Sequence, residues 1–259
     1  MQKPGAQAAN IFSFLWFIWA ALGLLFTLLI AYPSYHLAFA FSGKGRKSFA
    51  YTITYLWAQV LMQLYLIRVK VYARKILDRN EAYVFISNHR SQLDIPVCAL
   101  AAGPHPFKFL AKAELSRIPL LGKIISNLYI LVNRGTKTGS ARSMVHMAQA
   151  LNEGISVFIF PEGTRNQGPR VLLGFQDGAF RLAIKAQKPI AVLVIAGAGE
   201  RFPAGQMKSI TPGYVYARWL PPIPTAGLTN TDIPRLKEQV QQLMKTELLK
   251  YPSKRYYQP

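Results

Sequence analysis

The sequence predicts an α/β fold: a mixed, largely buried sheet flanked by helices, preceded by a hydrophobic, membrane-anchoring helical segment. Three observations predict it. From Ile67 onwards, short apolar runs alternate with segments of helical periodicity. Before Ile67, two long runs carry no charge at all. Hydrophobic residues make up 51% of the 259-residue chain and charged residues 16%, against about 25% charge in ordinary soluble chains. That balance excludes a disordered chain and argues against a purely soluble one. The texture divides the chain into an anchoring segment, residues 1–66, and an α/β domain, residues 67–259.

Ile11–Tyr32 is uncharged for 22 residues and rich in Phe, Leu, Ile and Trp. About 20 apolar residues cross the hydrocarbon core of a bilayer, so this run reads as a spanning helix that Pro33 brings to an end. Lys44, Arg46 and Lys47 follow it, which places the following domain on the cytoplasmic side by the positive-inside bias. Ser48–Ile67 is a second uncharged run of 20 residues, interrupted by Thr52, Thr54, Gln59 and Gln63 and carrying Tyr51, Tyr55, Trp57 and Tyr65. Its aromatics suit a helix lying at headgroup depth; a second span and a core helix are the alternatives.

The α/β pattern then runs in order. Ile67–Ala73 alternates apolar and basic residues and reads as a half-buried strand. Ala82–Ser87 is a continuous apolar run, hence a buried strand. A helix over 94–102, short strands over 107–110 and 129–132, and a helix over 138–152 stopped by Gly154 follow. A strand over 156–160, a helix over 175–187, a buried strand over 190–195, a strand over 214–219 and a helix over 232–250 complete the pattern.

The chain carries 31 Lys+Arg against 11 Asp+Glu, a net charge of +20, and its first acidic residue is Asp78. Such an excess attracts anions: lipid headgroups, phosphorylated metabolites or nucleic acid. The basic residues flank greasy runs instead of forming a recognisable nucleic-acid motif, so no nucleic-acid partner is expected. Cys98 is the only cysteine, which excludes an internal disulfide and a cysteine-based zinc site.

Chemistry concentrates where buried strands end. The strand closing at Ser87 opens into Asn88-His89-Arg90-Ser91-Gln92-Leu93-Asp94, the place where open α/β sheets put their sites. On one continuous helix His89 and Asp94 would diverge by about 140°. They meet if His89 sits in the turn and Asp94 in the first helical turn. Asp94 then orients one imidazole nitrogen and leaves the other to take a proton from a hydroxyl. The alternative is structural: Ser91 and Asp94 have the spacing of a helix cap ahead of Pro96.

A second buried strand opens into Phe160-Pro161-Glu162-Gly163-Thr164-Arg165. Glycine permits close backbone approach to a ligand, and the planar guanidinium of Arg165 suits a phosphate. Glu162 either holds Arg165 or accepts from a substrate hydroxyl. A third strand ends in Asn133-Arg134-Gly135, and Lys112 is a further cation near a strand end. Each alone reads equally well as a surface turn. Together they make one site more economical than three accidents.

In this order (Asn-His-x-x-x-x-Asp, a strand closing on arginine, then Phe-Pro-Glu-Gly-Thr-Arg) the sequence resembles the glycerophospholipid acyltransferases, with lysophosphatidate acyltransferases nearest, over roughly residues 65–220. The first and third motifs together are highly specific. The resemblance implies His89 as general base, with Asp94 orienting it. It implies a glycerol-phosphate site made by Arg134, Glu162, Gly163, Thr164 and Arg165, with Lys112 assisting. It further implies direct acyl transfer from acyl-CoA or acyl-carrier protein to lysophosphatidate, giving phosphatidate at a membrane, with no acyl-enzyme. Asn133, where an acidic residue is common, and Val192, where a second proline is expected, depart from the family pattern and bear on substrate identity. Another lysolipid acceptor, or a non-catalytic membrane-binding protein on the same fold, are the alternatives.

No cluster of His, Asp and Glu has metal-ligand spacing and no nucleotide-binding glycine loop appears, so neither a metal nor a resident cofactor is expected. Cys98 lies in an apolar helical run, where a buried structural thiol is the expected reading. Ser91, close to His89, is the runner-up nucleophile.

Overall fold

The computed structural model describes residues 4–40, 44–103, 105–118, 121–132, 137–206 and 209–251. Seven strands form one mixed sheet: β1 (Ile67–Tyr72), β2 (Val84–Ser87), β3 (Phe107–Lys112), β4 (Tyr129–Val132), β5 (Ser156–Ile159), β6 (Ile190–Ala196) and β7 (Gly213–Trp219). Their spatial order is β1-β7-β6-β2-β5-β3-β4. Strands β2 to β6 are mutually parallel, β7 is antiparallel to β6, and β1 pairs parallel with β7. The carboxyl ends of five strands therefore share one edge of the sheet. Both parallel and antiparallel pairs are present, as the sequence leads one to expect.

The central strands are apolar throughout because both their faces are covered. Successive side chains point to opposite faces. Val84, Ile86, Val157, Ile190 and Val192 join one core with Leu151, Phe180, Leu182, Val240 and Met244, carried by helices α5 (Lys137–Asn152), α6 (Gly178–Ala186) and α8 (Ile233–Leu248). Phe85, Phe158, Leu193 and Trp219 join the other, under α3 (Asp94–Ala102). Truncating one of these fully buried aromatics to alanine typically costs about 3–5 kcal/mol.

The α3 helix begins where β2 ends, and its last carbonyls are held. Trp219 Nε1 donates to Ala101 O at 3.0 Å, and the Arg74 guanidinium donates to the Leu100 and Ala101 carbonyls. These contacts fix the helix whose first turn carries Asp94. Two short helices, α4 (Leu121–Leu128) and α7 (Ala198–Arg201), have no counterpart in the sequence reading. Each is too brief for periodicity to declare it.

The amino-terminal segment is an antiparallel hairpin of α1 (Pro4–Ala40) and α2 (Lys44–Leu64). Trp19 Nε1 donates to Leu64 O at 2.8 Å, Tyr65 Oη to Ala20 O at 3.1 Å and Trp57 Nε1 to Thr27 Oγ1 at 3.2 Å; Tyr35 Oη and Thr54 Oγ1 pair at 2.8 Å. Pro33 does not end the first helix, which runs on through it to Ala40. Proline removes one donor and crowds one carbonyl a turn back. Packing of Ala31 and Tyr35 into the protein core offsets that local cost. Phe14–Leu37 is long and apolar enough to cross a bilayer, and only 17% of its most apolar stretch is buried.

The α2 helix takes the core alternative on one side. Ala50, Ile53, Ala58, Leu61 and Met62 are buried, while Phe49, Leu56 and Val60 are exposed. Its buried residues belong to the same apolar clusters as the sheet, so hairpin and sheet share side-chain packing.

Candidate active site

β2 ends at Ser87, and the chain turns through Asn88–Leu93 into α3. The Asn88 side chain pins this turn to β6: Nδ2 donates to Ile195 O and Oδ1 accepts from Ile195 N, both at 2.8 Å. His89 then projects over the carboxyl edge, and Asp94 begins α3. His89 Nδ1 and Asp94 Oδ2 lie 2.7 Å apart. The same Oδ2 accepts from the backbone N–H of Arg90 at 2.7 Å and of Ser91 at 2.8 Å. Asp94 is fully buried, and its Oδ1 has no hydrogen-bond partner among the described residues. Oδ2 is thus an acceptor that already takes two backbone N–H groups. An acceptor on that side requires Nδ1 to carry the imidazole proton, which leaves the Nε2 lone pair as the basic position.

The imidazole lies flat on Phe160, with ring centroids 4.0 Å apart and planes at 13°. Asp94 fixes one edge of the ring and Phe160 one face. His89 lines a cavity of about 640 Å³ together with Gly163, Thr164 and Arg165 and the apolar Phe109 and Tyr129. A cavity lined by both polar and apolar side chains suits an amphiphile.

The third-motif residues divide into two roles. The buried Glu162 carboxylate faces the protein: Oε1 accepts from His89 N at 2.9 Å and Oε2 from Leu173 N at 2.8 Å. It ties the loop after β5 to the turn bearing His89. Gly163 takes φ +72°, a left-handed conformation open to glycine at little cost. That turn carries Thr164 and Arg165 to the cavity wall. Arg165 Nε is buried without a hydrogen-bond partner among the described residues.

Lys112 closes β3, whose carboxyl end lies on the edge that holds His89. The Lys112 side chain and Arg134 lie outside the described residues.

Other residues brace the site without a role having been readable from the sequence. The buried Arg90 donates its guanidinium hydrogens to the carbonyls of Gly168, Arg170 and Val171. Asn166 N donates to His89 O at 2.7 Å. Ser91 Oγ donates to Phe202 O at 2.7 Å and accepts from Leu93 N at 3.0 Å. Its single proton is thus committed away from the imidazole. Arg90 stands inside the first motif, but its partners are distant in sequence and no local signal marks it; Ser91 has the cap spacing read from the sequence, whereas its Phe202 partner lies far along the chain.

Burial, with a contribution from nearby Asp94, pushes the Cys98 thiol well above its ordinary range. It is therefore a poor nucleophile. A Cys98→Ala variant is expected to keep wild-type kcat, and native protein to resist maleimide until unfolded. Rapid labelling of the native state with loss of activity would contradict this. Among the described residues, no three His, Cys, Asp or Glu side chains gather as a metal site.

Burial also pushes the Glu162 carboxyl up, partly offset by the Leu173 and His89 N–H donors and by Arg90. A raised folded pKa means the folded state binds the proton more tightly. The stability this group contributes is full below its unfolded pKa and falls as pH rises through the folded value. Glu162→Gln removes that dependence and turns an amide N–H₂ towards a backbone donor. It should cost about 1–3 kcal/mol. Melting curves should show the deficit largest on the acid side of that window and shrinking as pH rises. A deficit that grows with pH would contradict the assignment.

With this geometry in place, the relatives are informative. The Acyltransferase family model matches residues 68–196, from β1 to the end of β6. Human 1-acyl-sn-glycerol-3-phosphate acyltransferase alpha is 34% identical over 205 residues, covering 78% of this chain and 71% of the human protein. The chain belongs to this acyltransferase family. The human beta form is 33% identical over 190 residues, covering 71% and 66%. In fold, the acyltransferase is similar to the crystal structure of the 1-acyl-sn-glycerophosphate acyltransferase PlsC from Thermotoga maritima. That match has a TM-score of 0.79 at 20% identity, and covers 96% of this chain and 99% of the other. The matched span of the acyltransferase contains both the His89–Asp94 pair and the Glu162–Arg165 loop.

Proposed function

We propose that this acyltransferase moves a fatty acyl group from a thioester to the free hydroxyl of 1-acyl-glycerol 3-phosphate, giving phosphatidate. The observation that carries the reading is the His89–Asp94 contact at 2.7 Å, with His89 lining a cavity that also holds Arg165, Thr164 and the apolar Phe109 and Leu110. The acceptor identity draws on the names of the relatives.

The reaction follows from the arrangement. His89 Nε2 takes the proton of the acceptor hydroxyl as its oxygen attacks the thioester carbonyl carbon. Asp94 stabilises the imidazolium across Nδ1–H. The tetrahedral adduct collapses, the C–S bond breaks, and the imidazolium returns its proton to the departing thiolate. The products are the ester and a free thiol, and the histidine is restored. Arg165, on the cavity wall, offers the phosphate a planar charged donor, with Thr164 beside it; the family resemblance adds Lys112 and Arg134 as further cations. Glu162 acts through the backbone, holding the loop and the turn in register. The thioester, from acyl-CoA or acyl-carrier protein, is a substrate, and no resident cofactor enters the scheme.

Membrane attachment through the amino-terminal hairpin completes the reading. Leu22, Leu25, Phe26, Leu29 and Ile30 of α1 are exposed, an apolar face of the kind that lipid covers. Because α2 pairs with α1 and also packs on the sheet domain, α1 meets lipid on one face. That arrangement favours a hairpin embedded from the cytoplasmic surface over a helix surrounded by lipid. Lys44, Arg46 and Lys47 suit the same anionic surface.

The test uses detergent-purified protein with labelled acyl-CoA and acyl-carrier protein. The acceptors are lysophosphatidate, glycerol 3-phosphate and zwitterionic lysolipids. Label is expected in phosphatidate above all. Preference for a zwitterionic lysolipid would overturn the acceptor, and no acylation with either donor would favour a non-catalytic membrane-binding protein.

A further inference from the structure

The strand pair at the sheet edge, β1 and β7, has two unlike faces. Val69 and Val71 turn towards α2 and pack on the apolar cluster that holds Leu61 and Met62. Successive side chains alternate, so Arg68, Lys70 and Tyr72 point the other way, and all three are exposed. The parallel register sets them beside Tyr214, Tyr216 and Arg218 of β7.

This second face interleaves cations with aromatic rings. Lys70 Nζ stands 4.7 Å from the centroid of the Tyr214 ring, and the Arg218 guanidinium 4.8 Å from that of Tyr72. Tyr214 stacks with Tyr216 at 6.4 Å, and Tyr216 meets Tyr251 at 5.4 Å. Arg68 Nη1 donates to Tyr214 Oη at 3.4 Å. Neither Arg68 nor Lys70 has an ion pair among the described residues. The carboxylate that touches Arg218, Glu247, is buried and bracketed by Arg218 at 3.0 Å and Lys250 at 2.7 Å. It leaves the charge of Arg68 and Lys70 uncancelled.

Orientation, form and position decide what fits. The face is turned away from the α1–α2 hairpin, so the bilayer proposed above lies on the other side of the sheet and the partner comes from water. Arg68 to Tyr72 covers about 13 Å of open strand, whereas small-molecule sites are concave. Tyrosine and arginine are favoured at protein interfaces, and exposed cations steer an acidic protein into register.

Position links the face to the chemistry. β7 and β1 run opposite to β2, so their amino ends, with Tyr214 and Arg68, lie on the edge that holds His89. Three strand spacings separate β1 from β2, about 14 Å. A phosphopantetheine arm has about 13 bonds from phosphorus to sulfur and spans about 15 Å extended, at the advance per bond of an extended chain. A polar cavity of about 330 Å³ occupies the interval. Arg90 and Asn166 border it beside the His89 turn, and Pro203–Gln206 border it in the loop that leads into β7. Gln167 and Gln206 bring amides to its wall, and a pantetheine arm carries two amides.

We infer that the open face of β1 and β7 docks an acidic acyl-carrier protein, whose pantetheine arm crosses the polar cavity to bring the thioester to His89. The inference rests on the thioester-dependent transfer proposed above and names the donor's docking surface.

The test uses the full chain in uncharged detergent. Acylation of lysophosphatidate is measured with acyl-carrier protein and with acyl-CoA, and binding of fluorescent carrier protein without its acyl group is read by anisotropy. Reversing both charges, Arg68→Glu with Lys70→Glu, should raise the KM for acyl-carrier protein about tenfold at unchanged kcat, as expected for exposed interface charges. Carrier binding should weaken in parallel. The KM for acyl-CoA should not move. The neutral pair Arg68→Gln with Lys70→Gln should give a smaller rise in the same direction, and melting curves should match wild type for both. Added salt should weaken carrier binding to wild type more than to the reversed variant.

Carrier binding and KM unchanged in both variants would overturn the assignment. So would an equal rise in KM for acyl-CoA, which would make the face a nucleotide site. Loss of binding to phosphatidylglycerol vesicles, with carrier kinetics intact, would turn the face to the membrane instead. Wild type that acylates from acyl-CoA but neither binds nor uses the carrier protein would sink this inference and leave the proposed function standing. Carrier binding lost on charge reversal, in a protein that acylates from neither donor, would do the reverse.

Discussion

His89→Ala is expected to lower kcat by about 10²–10⁴-fold, the range over which a positioned general base contributes. Its fold should persist, because the ring is not a core element: it rests on Phe160 beside the cavity. The KM for lysophosphatidate should change little. In the proposed scheme the phosphate is held by the groups around Arg165, and the imidazole acts on the hydroxyl mainly as it loses its proton. Steady-state kinetics in mixed micelles, with a melting curve beside them, read both quantities. A large rise in KM with kcat intact would make His89 a binding residue and remove the base from the scheme.

Asp94→Asn should be nearly as damaging for activity, and more damaging for stability. Asp94 Oδ2 accepts from His89 Nδ1, Arg90 N and Ser91 N within a fully buried site. An asparagine oxygen retained towards the two backbone donors keeps the turn but loses the charge that stabilises the imidazolium. With its amide nitrogen turned inward, it presents a donor to donors. Either outcome disfavours the tautomer with Nε2 unprotonated. A kcat loss on the order of 10³–10⁴-fold follows, by comparison with the same substitution in serine protease triads. A backbone N–H left unpaired adds about 1–3 kcal/mol of destabilisation. A variant that is destabilised but fully active would show that Asp94 serves the turn alone.

These two residues were the most legible part of the site. The run Ala82–Ser87 declares a buried strand, observed over Val84–Ser87, and the polar heptapeptide after it declares the strand's carboxyl end. The 2.7 Å contact is the one that a histidine in the turn and an aspartate in the first helical turn allow. Ser91 was less legible. A hydroxyl near a histidine reads equally as nucleophile or as cap, and its carbonyl partner, Phe202, lies 111 residues away. Glu162 carries the same lesson. In sequence it sits beside Arg165 and invites pairing with it, but its acceptors face His89 N and Leu173 N.

The sheet was legible where burial is complete. β2, β5 and β6 are uninterrupted apolar runs, and β1 alternates because one of its faces is exposed. Spatial strand order was not readable, since no local pattern tells β6 to pair with β2 on one side and β7 on the other. Pro33 misleads in the opposite direction. Locally it is a helix breaker, yet packing along α2 carries the helix through it.

The account makes one claim above the others: the acyl group passes directly from thioester to lysophosphatidate through a histidine base. A single-turnover experiment tests it most directly, with enzyme in excess over labelled acyl thioester, quenched with and without lysophosphatidate. Thiol release and intact-protein mass are read together. Without acceptor, no thiol should be released and no acyl mass should appear on the protein. With acceptor, label should enter phosphatidate in step with thiol release. Stoichiometric thiol release before the acceptor is added, with the acyl group found on Ser91 or Cys98, would contradict the claim.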